Sequence, residues 1–186
     1  YGPTIEAFRT LKGKGARLIA TVDCGAAAHQ AIGEAAAEGL DIIVFDHHQM
    51  DGPPPAGALA TVNPNRPDDN SGLTLLSAAG VVFMGVVALN RALRARGFFA
   101  ERNEPDLRSF LDLTALGLVC DVMPMTGLAR VLTAQGLKVL TAGGNPGLKA
   151  LGRKAGMKGA ATAFDLGFLL GPRINAAGRI GHARLA

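Results

Sequence analysis

Two short apolar runs, each ending in an acid, stand out in the first quarter of the chain. Residues 17–23 are rich in β-branched positions and end at Asp23, and residues 41–46 repeat the pattern and end at Asp46. The alanine-rich segment between them, residues 26–38, is typical of a helix that closes at a glycine. Two strands joined by one helix predict a βαβ unit with a parallel sheet and a right-handed crossover.

Helical periodicity dominates the rest of the chain. A third strand is predicted at residues 58–62, and a proline-rich turn precedes it. Asn145 is expected to cap a helix, and Gly171-Pro172 is expected to break the last one. The predicted helices span residues 79–96, 106–118, 128–140, 146–155 and 162–170. We therefore expect an α/β fold: a Rossmann-like βαβ domain with a parallel sheet, followed by a mainly helical segment.

Composition narrows the class of protein. The chain has 186 residues, 48% of them hydrophobic, which is enough for one large or two small domains. Its apolar runs are interrupted by glycine, proline and charged residues, so we expect no membrane-spanning segment, and no secretory leader is recognisable. The two cysteines fit no metal or redox spacing. These features predict a cytoplasmic protein that does not contact a membrane.

The charges are unevenly distributed along the chain. The net charge is +4, with basic residues gathered in segments 91–108 and 149–158 and several acids near the two strand ends. An acidic pocket beside a basic track is typical of a metal-dependent nuclease.

The acids at the strand ends are the first candidates for chemistry. Ligands of open parallel sheets bind at the carboxyl ends of the strands, so Asp23 and the run Asp46, His47 and His48 should share one crevice. Carboxylates mixed with imidazoles and no thiolate favour Mn²⁺ or Mg²⁺, with Mn²⁺ better suited to a histidine ligand. The alternatives are an N-terminal helix acid for Asp23 and a polar loop for the histidines.

Five ordered segments resemble a known family. Residues 21–25 and 46–48 are similar to the second and third motifs of the DHH phosphoesterase superfamily. Residues 62–64, 117–124 and 171–179 are similar to its RecJ branch of single-stranded-DNA exonucleases, in order and rough spacing. The resemblance implies an internal fragment of such an enzyme, with residues 1–125 forming the DHH core without its first strand. Residues 126–186 would form a helical connector towards a further domain.

The resemblance also implies roles for individual residues. Asp23 would bridge two metal ions, and His47 and Asp121 would complete the shell of the second ion. His48 would contact the phosphate, and Asp46 would orient a histidine. Together these five residues are the expected catalytic set, and the implied reaction is two-metal phosphodiester hydrolysis without a covalent intermediate. From the sequence alone, Asp121 is only an acid after an apolar helix, and capping of the following turn is its alternative role.

Further residues are implied to bind the nucleic acid. Arg173, Asn175 and Arg179, together with His48, are expected to contact backbone or terminal phosphates, since guanidinium groups match phosphate oxygens. The alternative for the arginines is that they cap helix carbonyls or pair with acids. His182 is more typical of a solvated loop. With eight Phe, one Tyr and no Trp, the composition indicates no stacking platform for bases.

The sequence therefore predicts part of a Mn²⁺- or Mg²⁺-dependent single-stranded-DNA exonuclease of DNA recombination and repair. The family implies 5′ to 3′ polarity, two ions in the complete enzyme, and recombination or single-strand-binding proteins as partners. No Asp-x-Asp motif precedes Asp23, so we expect this fragment alone to bind metal weakly and to be inactive. The alternatives are a DHH phosphoesterase acting on short oligonucleotides or cyclic dinucleotides, and a non-catalytic replication scaffold.

Overall fold

The structure is a computed structural model that describes the backbone of residues 2–180 and the side chains of residues 2–176. The chain forms two compact units, the first ending at Gly85 and the second beginning at Val86. The first unit contains the sheet, and the second is helical among the described residues. The α/β class predicted from the sequence is confirmed, whereas the predicted domain boundary at 125/126 stays a prediction.

Three parallel strands form the sheet of the first unit, in the order β1, β2, β3. The strands are β1 (Leu18–Val22), β2 (Asp41–Phe45) and β3 (Ala60–Val62). Two helices precede and connect the first two strands: α1 (Ile5–Gly13) and α2 (His29–Ala37). This arrangement is the βαβ unit that the strand pattern predicted.

The core of the first unit lies between its helices and the sheet. Alternate positions of β1 and β2 point inward, as the period of a strand requires. Phe8 of α1 and Ile32 of α2 pack against the inward residues. The buried cluster consists of Phe8, Ile19, Ile32, Ala35, Leu40, Ile42 and Val44.

Helix α2 begins at His29, three residues later than predicted. Gly25 has a φ of 116°, which interrupts a right-handed helix. The backbone N–H of Ala26 donates a hydrogen bond to the Asp46 carboxylate at 2.9 Å. This turn therefore connects β1 to a residue 20 positions away instead of starting the helix.

The second unit consists of packed helices. Helix α3 (Ala78–Ala95) begins in the first unit and ends in the second. The elements after it are a 3₁₀ turn (Leu107–Phe110), α4 (Leu111–Cys120), α5 (Gly127–Thr141) and α6 (Pro146–Lys154). The predicted start of a helix at residue 106 is corrected, because the side chain of Asp106 accepts from the N–H of Arg108 and caps the 3₁₀ turn. Asn145 caps α6 as predicted, accepting from two backbone N–H groups.

The predicted helix break at Gly171-Pro172 is wrong. A π-helical turn (Asp165–Leu170) runs directly into α7 (Gly171–Ile180), and Gly171 itself has helical angles. Pro172 lacks an N–H and would crowd the carbonyl four residues before it in a regular α-helix. The wider π turn relieves that conflict, and a first helical turn tolerates proline.

Helix α3 corrects the expectation that no segment is long and apolar enough to cross a membrane. Over its 18 residues the mean hydropathy is 1.4, so within the described chain this one helix meets that test by length and composition. A mostly buried core helix of a soluble protein meets the same test, whereas 22% of this helix is buried in the described structure. The expectation of no membrane contact stays a prediction.

Candidate metal centre

The register of the sheet sets the positions of the candidate ligands. Val22, the last residue of β1, pairs with Phe45, the last residue of β2. The N–H of Asp23 donates to the carbonyl of Phe45 at 3.0 Å, which places Asp23 beside Asp46 at the carboxyl edge. Asp23 has a φ of 62°, a conformation that aspartate tolerates better than most residues.

Three side chains converge at this edge. The Nε2 atom of His47 lies 3.3 Å from Oδ1 of Asp23. One ligand atom from each of Asp23, His47 and His48 lies within 4.8 Å of the other two. Two ligands of one divalent ion are at most about 5 Å apart, since each lies about 2 to 2.5 Å from the ion. The donor set therefore fits a single divalent cation.

The group is open to solvent on one side. The His47 side chain is 11% exposed, whereas the side chains of Asp23 and His48 are 64% and 62% exposed. A substrate oxygen or water could therefore reach an ion held here. The His47 ring is largely enclosed, so its surroundings restrict the movement of the ring.

Asp46 lies under the histidines and is 2% exposed. Its carboxylate accepts from the His48 ring at Nδ1 (2.6 Å), from the His47 N–H (2.8 Å), from the His48 N–H (3.3 Å) and from the Ala26 N–H (2.9 Å). Burial alone would raise the pKa of Asp46, but these hydrogen bonds outweigh burial and hold the pKa below its ordinary value. An ionised Asp46 can only accept, so His48 donates from Nδ1, and this hydrogen bond fixes the orientation of the His48 ring.

Two asparagines support the histidine loop, and the sequence analysis missed this role. The side chain of Asn63, just after β3, is buried and donates to the His48 carbonyl at 3.0 Å. Asn65 donates to the His47 carbonyl at 2.6 Å. The Asn63 side chain also accepts from the Asn65 N–H. The sequence feature that could have indicated this role is an asparagine directly after a strand, a position that favours hydrogen bonds from side chain to backbone.

Cys24 lies beside the group as a free thiol. Burial raises the pKa of Cys24, and the neighbouring carboxylates of Asp46 and Asp23 raise it further. Its Sγ donates to the carbonyl of Val22 at 3.4 Å, and the three converging ligand atoms come from Asp23, His47 and His48.

The other predicted metal ligand, Asp121, belongs to the second unit. It is exposed and directly follows the last residue of α4 as its C-cap, and Val122 after it has a φ of 56°. The turn has the hydrogen bonds of a Schellman motif: Met123 N–H to Leu118 C=O and Val122 N–H to Val119 C=O. Its participation in the metal centre stays a prediction.

Three of the predicted nucleic-acid residues, Arg173, Asn175 and Arg179, lie on α7. Arg173 donates one guanidinium N–H to the carbonyl of Leu169 at 2.8 Å, the carbonyl-capping role given as its alternative. Arginine has five N–H donors, so others remain for a phosphate. Asn175 is exposed, whereas the side chain of Arg179 and all of His182 lie outside the described residues.

The chain is similar to known exonucleases over nearly its whole length. Residues 2–118 match the model of the DHH family, N-terminal domain. The single-stranded-DNA-specific exonuclease RecJ of Escherichia coli is 44% identical over 184 residues, and that of Dickeya dadantii is 42% identical. Each alignment covers 97% of this chain but 32% of the relative, so the chain spans about a third of their length.

Solved structures of similar proteins contain metal ions. A crystal structure of exonuclease RecJ bound to manganese is 33% identical, with a TM-score of 0.80 over 99% of this chain and 44% of that one. RecJ from Thermus thermophilus in complex with Mn²⁺ is 32% identical, with a TM-score of 0.78 over 97% of this chain and 25% of that one.

Proposed function

This chain belongs to the DHH family, and from that premise we propose that it forms the metal-binding core of an exonuclease acting on single-stranded DNA. One observation carries the proposal: Asp23, His47 and His48 bring one ligand atom each within 4.8 Å at the carboxyl edge of a parallel sheet. The similar proteins named above are single-stranded-DNA-specific exonucleases. Because the substrate of those relatives is DNA, we also propose that this chain acts in the cytoplasm, in DNA recombination and repair.

Mn²⁺ or Mg²⁺ would be bound by Asp23 and His47, and the resemblance implies Asp121 as a further ligand. Bound there, the metal would supply Lewis acidity for phosphodiester hydrolysis and stabilise the charge that develops on the leaving oxygen. The open side formed by Asp23 and His48 leaves room for the phosphate. His48 would contact it through its ring, whose orientation the hydrogen bond between Nδ1 and Asp46 fixes.

Asp46 acts as a positioning residue in this proposal. Three of its hydrogen bonds hold the His48 ring and the backbone N–H groups of both histidines, and a fourth holds the backbone N–H of Ala26. Arg173, Asn175 and Arg179 would hold phosphates of the strand, with residues 126–186 forming a connector after a core of residues 1–125. Because no Asp-x-Asp motif precedes Asp23, we expect slow or undetectable hydrolysis by the chain alone.

A chimera tests the function without this limitation. The aligned segment of the Escherichia coli relative is replaced by this chain, and release of mononucleotides from single-stranded DNA is measured with Mn²⁺ or Mg²⁺. We expect the chimera to degrade long single strands faster than dinucleotides or cyclic dinucleotides. Asp23→Asn should abolish this activity, whereas Asp41→Asn, at the opposite end of β2, should retain it. A folded chimera that degrades DNA equally well with Asp23→Asn contradicts the proposal.

A further inference from the structure

We propose that the second unit carries an additional binding surface for single-stranded DNA, made of an exposed phenylalanine pair and a basic helix. The surface, here called the Phe-Lys surface, consists of Lys149, Arg153, Lys154, Lys158, Phe164 and Phe168. The inference rests on the proposed function for its substrate, but on none of the metal-centre residues.

The two phenylalanines form an exposed aromatic step. The side chains of Phe164 and Phe168 are 61% and 67% exposed. Their ring centroids lie 4.9 Å apart with an interplanar angle of 20°, so the rings are stacked on each other. Single exposed apolar residues are common, but two large stacked rings at one place indicate a surface used for binding.

The backbone under the pair is held firmly. Leu166 and Leu170 are fully buried, so the core fixes the turn from which the rings project. At its start, Thr162 and Asp165 exchange hydrogen bonds: the Thr162 N–H donates to the Asp165 carboxylate at 2.8 Å, and the Asp165 N–H donates to the Thr162 hydroxyl at 3.3 Å. The rings are therefore presented on a fixed support and need little ordering when they bind.

Aromatic faces of this kind suit unpaired bases. Every base has a π face, and stacking on an aromatic side chain needs no particular sequence. The paired rings leave outer faces for bases of a strand to stack on. Duplex DNA keeps its bases within its own stack, so the pair selects single strands.

The charge of the second unit complements a phosphate backbone. Residues 86–186 contain 14 Lys and Arg but 6 Asp and Glu, a net charge of +8, whereas residues 1–85 contain 5 and 9, a net charge of −4. Within residues 146–158 there are four basic residues and no acid. All four are exposed: Lys149, Arg153, Lys154 and Lys158.

The basic residues and the rings belong to one packed assembly. Leu148 of α6 lies in the same buried cluster as Leu166 and Leu170 of the π turn. Lys158 precedes Phe164 by six residues, which span at most about 20 Å. A few nucleotides bridge that distance, well within the site size of single-strand-binding proteins.

The combination favours nucleic acid over a protein segment as the occupant. An apolar segment would cover the rings but leave four cations without a counter-charge. A single strand offers bases for the rings and phosphates for the cations. Lys149 and Arg153 lie one turn apart on α6, and a bound phosphate would relieve the repulsion between these like charges.

Binding measurements on the chain test the surface without hydrolysis. Fluorescein-labelled (dT)16 and an abasic strand of equal length are titrated in EDTA at several salt concentrations. The stacking variant is Phe164→Leu/Phe168→Leu, which keeps the residues apolar, and the charge variant is Lys149→Gln/Arg153→Gln/Lys154→Gln. The controls are Phe110→Leu, also at an exposed phenylalanine, and Lys14→Gln/Arg17→Gln, which removes two positive charges from the first unit.

We expect the stacking variant to weaken (dT)16 binding by roughly 5- to 100-fold and to leave abasic binding unchanged. The charge variant should weaken both strands and reduce the slope of log K against log salt by about 0.7 for each phosphate that the variant no longer neutralises. Both controls should bind like the unsubstituted chain. Variants within twofold of the unsubstituted chain, or equal weakening of (dT)16 and abasic binding by the stacking variant, would overturn the proposal.

The outcomes separate this inference from the proposed function. Binding that depends on the Phe-Lys surface in a chain whose chimera never hydrolyses DNA would support the surface and refute the nuclease. Hydrolysis of DNA by the chimera, together with (dT)16 binding that neither variant weakens, would support the nuclease and refute the surface. If the rings instead join two copies, light scattering will show a dimer that the stacking variant dissociates, which overturns the proposal.

Discussion

The Nε2 atom of His47 lies 3.3 Å from Oδ1 of Asp23, although 24 positions separate the two residues. Parallel pairing of β1 with β2 produces this contact, because Val22 and Phe45 are partners in register and the two acids follow directly. The candidate metal centre is thus a consequence of strand register, and a slip of β2 by one residue would move the His47 side chain to the other face.

Asp46→Asn tests the support beneath the histidines. An amide offers one acceptor oxygen in place of two, and its NH₂ would face donors, so buried N–H groups lose partners. We expect a decrease of about 1–3 kcal/mol in the free energy of unfolding and about 10- to 100-fold weaker Mn²⁺ affinity. Urea titration and calorimetry measure the two effects, with Asp41→Asn as control. Equal values for Asp46→Asn and the unsubstituted chain would refute this role.

Gly136→Ala tests the closest helix contact of the second unit. A Cβ at Gly136 of α5 would lie 2.1 Å from the Leu111 carbonyl and 2.5 Å from the Ala115 Cβ of α4. We expect the free energy of unfolding to fall by about 1–3 kcal/mol, the usual effect of overpacking. Gly33→Ala in α2 has open space and should raise it by up to about 1 kcal/mol. A stabilising Gly136→Ala would mean that α4 and α5 do not pack this closely.

Val122→Gly tests the turn after Asp121. Val122 is 86% exposed and has a φ of 56°, a conformation that costs a β-branched residue about 1–2 kcal/mol. Glycine at this position of a Schellman motif removes most of that strain, so we expect a gain of about 1 kcal/mol in chemical denaturation. Val131→Gly, at an exposed site within α5, should destabilise instead. The same sign for both substitutions would show that the turn is unstrained.

Glu38 makes a pH-dependent contribution to the stability of the fold, away from the candidate metal centre. The hydrogen bond from Arg9 (Nε to Oε1, 2.8 Å) lowers the pKa of Glu38 below its ordinary value, and the charges of Arg9 and Lys12 add to the shift. A lowered pKa in the folded state stabilises the fold above the unfolded pKa, and this stabilisation disappears as pH falls through the folded pKa. Glu38→Gln should therefore lower Tm slightly at pH 7, and the difference should shrink as pH falls below the ordinary pKa of glutamate and vanish below the lowered pKa of the folded state. Glu101→Gln serves as control, and a difference that persists in acid contradicts the ion pair.

The features that the sequence predicted follow from the local pattern of residues and from the pairing of parallel strands. The strand-ending acids Asp23 and Asp46 could be placed together because a βαβ unit brings successive strand ends to one edge. The cap at Asn145 was equally accessible, since it lies next to the helix that it caps.

The features that the sequence did not predict depend on distant contacts. Helix α2 starts late because Ala26 bonds to Asp46, 20 positions away. The helix continues through Gly171-Pro172 because buried Leu166 and Leu170 hold a π turn that local propensity does not indicate. The exposure of Phe164 and Phe168 follows from the same packing, so composition alone suggested no stacking platform.

The central claim is that Asp23 and His47 hold a divalent ion, and anomalous diffraction from crystals of the chain soaked in Mn²⁺ tests it most directly. We expect an anomalous difference peak between Oδ1 of Asp23 and Nε2 of His47 that disappears in crystals of Asp23→Asn. Peaks found only elsewhere on the chain, or a peak at this edge that persists in Asp23→Asn, would contradict it.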